Sequence, residues 1–497
     1  MTRKDSWLWS GVFALLTLFS TGRWALAPVA WVAPALGLFI VHRNSTRRGV
    51  FLIYATTFCG ASIGWYGTIP FPLPIYVVFM LFNAFVGTLP YLIDRLLVPR
   101  FGHRLAATLI FPLAVTSVEY LLLADGPLGS FGAQAYTQSG LGPLVQFASV
   151  AGLWGITFVV AWFASTVHWA IRRYQLGLSF IGGAALYTAV VVVILGFGTV
   201  RVLFVPEARQ SVSVASFTAA HVDMVEMTQL AQIDAAAFRQ RTEAQHTAYL
   251  NGTIRAAKTG AQIVLWPELA GLGMVDDVNR LVERGRVLAD DHNIYLAMPL
   301  FTLDPTGKTQ SVNKLVIADP NGTIVLQHVK YGGNLLEGTL PGTPEVQTVD
   351  TPFGRLAAVI CWDTDYPAVI RQAGQQNVDI LLSPAFVWPE VAAIHAEMAS
   401  FRAIENGLTL VRHSDNGFSF ISDPYGRNVA WEDHRGQEDA IMVAWAPVMT
   451  TRTLYPWVGD IVGQASVGGL LLVLFTVVIR YIRSVWQRQR RLVTDAT

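Results

Sequence analysis

The chain has 497 residues, of which 53% are hydrophobic and only 14% charged, against about a quarter charged in an ordinary soluble domain. That excludes a plain soluble protein, and a net charge of +1 from 35 basic and 34 acidic residues excludes a global basic field for nucleic acid and an acidic disordered tail. Two cysteines, Cys59 and Cys361, exclude a disulfide framework and a cysteine-rich metal site.

From Trp7 to about Phe204, apolar runs alternate with short polar turns, and several approach the roughly 20 residues that cross a bilayer. Seven spans are expected near 7–21, 24–41, 49–68, 73–93, 105–123, 144–170 and 177–200, with an eighth near 460–480. The first two are short, and Pro28 and Pro34 in the second also fit a broken or re-entrant hairpin. The start also fits a signal peptide with Ala25-Leu26-Ala27 as a cleavage-like site, but Pro28 and the spans that follow argue against cleavage. Cys59, inside the third span, reads as a small buried apolar side chain.

Positive charge is lopsided. One side of an alternating topology collects fifteen Lys and Arg (Arg3, Lys4, Arg43, Arg47, Arg48, Arg95, Arg100, Arg104, Arg172, Arg173, Arg480, Arg483, Arg488, Arg490 and Arg491), whereas the other has Arg23, Arg201, Arg209 and Arg452. Because cytoplasmic loops retain Lys and Arg during insertion, both termini are expected in the cytoplasm and the segment between the last two spans outside it. The expected division is a membrane domain over 1–204, an outer domain over 205–455, and a final span with a basic cytoplasmic tail over 456–497.

Between about 210 and 448 the pattern changes to strands alternating with amphipathic helices, which predicts an α/β layered domain. Strands are expected at Val212–Phe217, Gln262–Trp266, Ile294–Leu300, Asn313–Ala318, Thr323–Val329, Leu356–Ile360, Asp379–Leu382, Leu408–Arg412, Phe418–Ser422 and Ile441–Ala446. Helices are expected near 234–258, 276–291, 365–376 and 389–406.

Cys361 directly follows the apolar run Leu356–Ile360 and precedes a segment expected to open a helix, where a thiolate is favoured. A buried packing cysteine fits that position as well. Glu268 ends the strand Val264-Leu265-Trp266-Pro267-Glu268, where a carboxylate can take a thiol proton if the two side chains meet; a helix-start or surface acid is the alternative. Of the five lysines, Lys330 closes the strand Thr323–Val329 and can offer fixed positive charge to an oxyanion, or simply lie solvated at the strand end.

Acid, lysine and cysteine in that chain order, each at a strand end, resemble the carbon–nitrogen hydrolase (nitrilase) superfamily. Trp266-Pro267-Glu268 is similar to its glutamate motif, and Thr351-Pro352-Phe353-Gly354-Arg355 leads into Ile360-Cys361-Trp362-Asp363 as its cysteine motif does. Phe401–Asn406 resembles its later Arg-Ala-x-Glu helix, and Gly417-Phe418-Ser419 with Asp423-Pro424-Tyr425-Gly426 the strands beyond. Seven spans before this domain and one after it are similar to the apolipoprotein N-acyltransferase branch. Glu119, the loop Gly132–Gln138 and the run Gly152–Phe158 resemble that branch's membrane motifs, although Gly152 and Gly155 fit plain helix packing too.

The resemblance implies a polytopic α-helical membrane protein with an extracytoplasmic αββα nitrilase-like domain, in a bacterial inner membrane. It implies a Glu268–Lys330–Cys361 catalytic triad, with Glu337 positioning the lysine and the substrate, and Trp362, Asp363 and Trp388 as supporting residues. The implied reaction moves a fatty acyl chain from a phospholipid, through a Cys thioester, to the N-terminal amine of a diacylglyceryl-cysteine, with no metal or organic cofactor. Nothing fixes an oligomeric state, and a monomer is the default expectation. The segment Lys330–Gly338 lacks the family's Pro-Phe-Gly, Trp362 and Asp363 replace Tyr and Glu, the first strand lacks the usual Gln, and no tryptophan lies between Phe217 and Leu265. A loop over the site is expected at Ala385–Pro389, with ordinary core packing as the alternative, and His395 reads as a structural histidine. The competing functions are a membrane-anchored amidase or nitrilase with the same triad, an inactive lipid-binding relative and a transporter. Glu119 and Asp94 are the main acids that a transporter would use, and both also fit membrane interfaces.

Overall fold

The structure, a computed structural model, describes residues 3–219, 222–306, 308–437 and 441–494. The side chains of Arg3, Lys4, Arg488, Arg490 and Arg491, counted above for orientation, lie outside what is described, as do those of Leu335 and Leu336.

A helix occupies each expected span: α1 (Arg3–Ser20), α2 (Ala27–Arg43), α3 (Thr46–Gly64), α4 (Leu73–Leu97), α5 (Ile110–Leu123), α6 (Ala148–Gln175) and α7 (Ile181–Leu203), with the last helix after the α/β domain. By length and apolarity five helices among the described residues suffice to cross a membrane: α4, α5, α6, α7 and the last helix. Helix α2 is apolar but shorter, with 17 residues, and it runs unbroken through Pro34 while Pro28 sits in its first turn, where the missing N–H costs nothing. Cys59 lies on an exposed face of α3, not in the core. Such a face in a bilayer meets lipid, where a thiol needs no hydrogen-bond partner.

Helix α6 is broken at Gly152, whose φ of 63° and ψ of −175° belong to no helix. A side chain there would collide with the Tyr455 ring, 2.5 Å from where a Cβ would stand. Gly152 is therefore both the break and the point of close packing on Tyr455, and the break frees the Leu153 N–H for a partner outside the helix.

The α/β domain runs β1 (Gln210–Phe217), α8 (Met224–Ile233), α9 (Ala235–Lys258), β2 (Ile263–Leu265), β3 (Gly271–Gly273), α10 (Val275–His292), β4 (Tyr295–Thr302), β5 (Val312–Ala318), β6 (Ile324–Val329), β7 (Thr348–Thr351), β8 (Gly354–Ala358), α11 (Pro367–Gln375), β9 (Ile380–Phe386), α12 (Pro389–Asn406), β10 (Thr409–Asp415), β11 (Phe418–Ser422), β12 (Asn428–Asp433) and β13 (Ile441–Val448); α13 (Ile461–Thr494) follows. One sheet has the order β13-β1-β2-β4-β5-β6 with β3 beside β4, and the other β12-β11-β10-β9-β8-β7.

Strand parity builds the layers. In the first sheet, Val212, Val214, Ile263, Leu265, Ala297, Leu315 and Ile317 point to the main core, while Ala215, Phe217, Val264, Trp266, Leu296 and Val316 point the other way, onto Tyr249 and Leu250 of α9 and Val278 and Leu281 of α10. On the second sheet's side, Val369 and Ile370 of α11 and Val391 and Ala396 of α12 join the main core with Leu381, Leu410 and Ile421. The result is a helix–sheet–sheet–helix sandwich. Helix α12 is buried on almost every face because the membrane domain covers its outer side.

Candidate active site

Three strand ends converge. Glu268 follows β2, Lys330 follows β6, and Cys361 begins a tight turn, Cys361–Asp365, three residues after the end of β8. Cys361 is 2% exposed, with a left-handed φ of 45°, and Leu269 beside Glu268 has a φ of 70°. Both are conformations that a side chain makes costly, so surrounding structure must hold them.

Glu268 Oε1 accepts from Lys330 Nζ at 2.6 Å and from Asn313 Nδ2 at 2.7 Å, and its Oε2 accepts from the Phe386 N–H at 2.8 Å. The Phe386 carbonyl in turn faces the Cys361 thiol at 3.6 Å, so the backbone of one residue, Phe386, contacts both Glu268 and Cys361. Lys330 Nζ also pairs with Glu337 Oε1, and Asn313 donates to Glu337 Oε2 at 3.3 Å. The structure thus brings Glu268, Lys330, Glu337 and Cys361 together, with Asn313 holding both carboxylates. Asn313 stands beside Lys314 at the start of β5, where a polar pair reads as a solvated strand end, and only its burial shows that its amide needs partners.

Charge and burial set the protonation states. Burial opposes the Lys330 charge, but Glu268 and Glu337 outweigh it and hold the ammonium pKa well above its ordinary value. Burial, with Glu268 beside it, pushes the Cys361 thiol up, against the pull of Lys330 and Arg412. The resting thiol is therefore protonated, and any attack by its sulfur requires a group that takes the proton.

The segment without Pro-Phe-Gly folds into one helical turn, Asn334–Glu337, entered through left-handed Gly333, and that turn delivers Glu337 to Lys330. Asp363 is fully buried and turned away from the thiol. Its Oδ1 accepts from the Tyr331 and Gly332 N–H groups at 2.9 and 2.7 Å, and its Oδ2 from Ile360 N–H and His328 Nε2 at 2.8 and 2.7 Å. Four bonds satisfy the carboxylate, so Asp363 clamps the lysine loop onto the cysteine turn and has no acceptor left for a substrate.

Trp362 donates to Leu128 O at 3.2 Å and packs its ring on Phe131, 5.4 Å between centroids. Trp388 donates to Gly67 O at 3.0 Å. Both tryptophans bind the catalytic layer to membrane-domain loops. Ala385 and Phe386 belong to β9, whereas Val387 and Trp388 form the short link to α12; Ala385 and Val387 are buried, and Phe386 and Trp388 are half-buried. His395 is fully buried with both ring nitrogens bonded, to Asp365 at 3.0 Å and Arg412 at 2.9 Å.

Below the turn, a cavity of about 580 Å³ opens among α1 to α5, lined mostly by apolar side chains such as Trp65, Phe79, Phe82, Val86, Phe111 and Phe131. Its wall includes Leu128 and Phe131, the residues that Trp362 touches. Glu119 lines it too, accepting from Gln134 N–H at 3.1 Å and Thr157 Oγ1 at 3.0 Å. Asp94 is buried against His42 at 2.7 Å, so neither acid lies free at an interface. Among the described residues no cluster of His, Cys, Asp or Glu suits a metal ion.

Two family models match the chain. Residues 10–166 match the apolipoprotein N-acyltransferase N-terminal domain, and residues 214–453 match the carbon-nitrogen hydrolase model. The chain is 24% identical to the apolipoprotein N-acyltransferase of Geobacter metallireducens over 93% of each chain. It is 27% identical to that of Bradyrhizobium diazoefficiens over 71% of each. A citrullinase from Francisella tularensis is 25% identical but spans only 39% of this chain, against 82% of its own. With both models matched in this order and relatives aligned across the membrane and α/β halves together, the chain belongs to the apolipoprotein N-acyltransferase family of the carbon–nitrogen hydrolase superfamily.

Proposed function

We propose that this protein moves a fatty acyl chain from a phospholipid, through a thioester on Cys361, to the N-terminal amine of a diacylglyceryl-cysteine on an apolipoprotein. The observation that carries this reading is an apolar chamber among membrane helices whose wall residues Leu128 and Phe131 touch Trp362, the neighbour of the buried Cys361 thiol. A hydrolase of small polar amides has no use for such a chamber, and the citrullinase match leaves the membrane half unaccounted for.

Glu268 takes the Cys361 proton, the thiolate attacks an ester carbonyl, and Lys330 with backbone N–H groups stabilises the oxyanion. Collapse expels the lysophospholipid alkoxide, which takes the proton from Glu268, and leaves the thioester. The acceptor amine then attacks, Glu268 receives its proton and returns it to the departing thiolate, and the triacylated protein forms. Glu337 and Asn313 hold Lys330 and Glu268 in place throughout.

The catalytic domain stands on the periplasmic side of the inner membrane with both termini in the cytoplasm. The fifteen-to-four excess of Lys and Arg supports this. Intact mass of the purified protein after incubation with phospholipid tests the chemistry. A fatty-acyl gain absent from Cys361→Ala, and chased onto an added diacylated lipopeptide, is expected. An adduct lost only to water would favour the membrane-anchored hydrolase, and no adduct from any phospholipid would overturn the donor assignment.

A further inference from the structure

The turn that carries Cys361 is held from two sides by buried polar chains that meet at Asp365. On the membrane side, Ser130 Oγ lies 2.7 Å from the Asp365 carbonyl, which can only accept, so the Ser130 hydroxyl donates there. Tyr136 Oη, 2.6 Å from Ser130 Oγ, must then be the donor to that serine. Arg402 Nη2 donates to Tyr136 Oη at 3.1 Å, which completes a one-way sequence from guanidinium through phenol and hydroxyl to the turn. Arg402 is itself fixed by Glu405, 3.0 Å away, and Glu405 Oε1 accepts from the Leu153 N–H at 3.1 Å. That N–H is the one released by the break at Gly152. On the other side, Arg412 donates to His395 Nδ1, which leaves Nε2–H to donate to the Asp365 carboxylate.

Every member of the membrane-side chain is buried: Ser130, Arg402, Glu405 and Asp365 are fully so, and Tyr136 is 5% exposed. In such surroundings each hydrogen bond has no competing water, and an orphaned donor is costly. Glu268, Lys330 and Glu337 fix the base and the cation but make no hydrogen bond to the turn's far end, and the left-handed conformation at Cys361 needs an outside restraint.

We propose that Tyr136 and Arg402 are positioning residues for the acyl transfer, which set the attack geometry of Cys361 by linking its turn to the break in α6. The proposal rests on Cys361 being the nucleophile of the reaction above. It makes thiol geometry depend on the seating of the catalytic domain on the membrane helices, although neither residue touches the thiol.

The test compares Tyr136→Phe and Ser130→Ala with the full-length protein in detergent. Acyl-enzyme formation is followed by mass across a range of phospholipid concentration, and Cys361 alkylation by iodoacetamide, which needs no lipid, is followed alongside. A displaced nucleophile costs about ten- to a hundredfold in rate. The expected result is a loss of that size in the maximal acylation rate, an unchanged half-saturating phospholipid concentration, an altered alkylation rate, and a double variant no slower than the worse single. Purely structural residues would lower the melting temperature while leaving both rates, measured well below melting, within twofold of wild type, and that overturns the proposal. So does a loss confined to half-saturation. If Tyr136→Phe does not fold, Ser130→Ala alone decides. Should wild type itself form no acyl-enzyme, the donor assignment fails, and the alkylation rates still decide whether the chain positions the thiol.

Discussion

At the scale of single residues, the site is a charge balance in a dry place. Glu268 and Lys330 act on the Cys361 thiol with opposite sign, the carboxylate raising its pKa and the ammonium lowering it. Removing either charge should therefore move the thiol in opposite directions. Glu268→Gln leaves Lys330 unopposed on that side, so the thiolate becomes more accessible and iodoacetamide alkylation at neutral pH quickens, even as acyl transfer is lost with the base. Lys330→Met removes the stabilising cation, so alkylation slows and its rise with pH moves to more alkaline values. The pH profile of alkylation in the two variants checks both signs; a shift in the same direction would mean that the thiol is not governed by this pair. Asn313 makes a third case. Its Nδ2 binds Glu268 and Glu337 together, so Asn313→Ala should leave two carboxylates sharing one lysine without a neutral spacer. Loss of a buried hydrogen bond to charged groups costs about 1.5–3 kcal/mol, which corresponds to roughly a ten- to hundredfold loss of acylation rate. A rate within twofold of wild type would remove Asn313 from the machinery.

At the scale of elements, sequence and structure agree where burial imposes a period and part where pairing alone makes the element. The alternation in β1 and the apolar run of β4 are legible because each strand has a core to face. Strand β7, with the sequence Thr-Val-Asp-Thr, is only half-buried, and β3 consists of Gly-Leu-Gly; both exist through ladder bonds to β8 and β4, which no single segment reveals. Helix α8 carried a usable signal, since Asp223 caps the Val225 and Glu226 N–H groups. The expected end of β9 at Leu382 is where its pairing with β8 stops, but β9 continues along β10 to Phe386. Pro384 is tolerated there because that edge has lost its neighbour, and the same open edge offers the Phe386 N–H to Glu268 and the Phe386 carbonyl to Cys361. The meeting of Glu268, Lys330, Glu337 and Cys361 was legible by family likeness, whereas the clamp role of Asp363 required knowing that two loops meet. The contact between α12 and the broken α6 carries a prediction of its own. Burial raises Glu405 from 4.5 to about 7, partly offset by Arg402. Between those values the folded state binds more protons than the unfolded chain, so stability falls as pH rises through that window and levels off above it. The amount at stake is about 3 kcal/mol. Thermal unfolding in detergent from pH 5 to about 8 should show this decline in wild type, and Glu405→Gln should flatten it. An equal decline in both would place the titrating group elsewhere.

At the scale of the whole molecule, the proposed reaction brings a thiol in a carbon–nitrogen hydrolase domain to a donor held in the bilayer. A fatty acyl chain moving from lipid into an apolar cavity exchanges one hydrocarbon environment for another, so little hydrophobic free energy is available to favour it. Selection of the chain must then come from the room available, about 580 Å³ between α1 and α5. Gly87 lines that space, and a Cβ at its position would meet only Thr57 Cγ2 at 3.5 Å, an ordinary contact. Gly87→Leu should therefore be accommodated by the backbone while it occupies part of the chamber. Overpacking of this kind costs about 1–3 kcal/mol, or roughly 5- to 150-fold in rate, and it falls only on acyl chains long enough to reach the filled end. The expected outcome is that dipalmitoyl phospholipid acylates Gly87→Leu more slowly than wild type by a factor in that range, while a short-chain dihexanoyl donor acylates both alike. Equal slowing of both donors would show a general distortion of the membrane domain, and no slowing of either would show that the acyl chain lies outside this chamber.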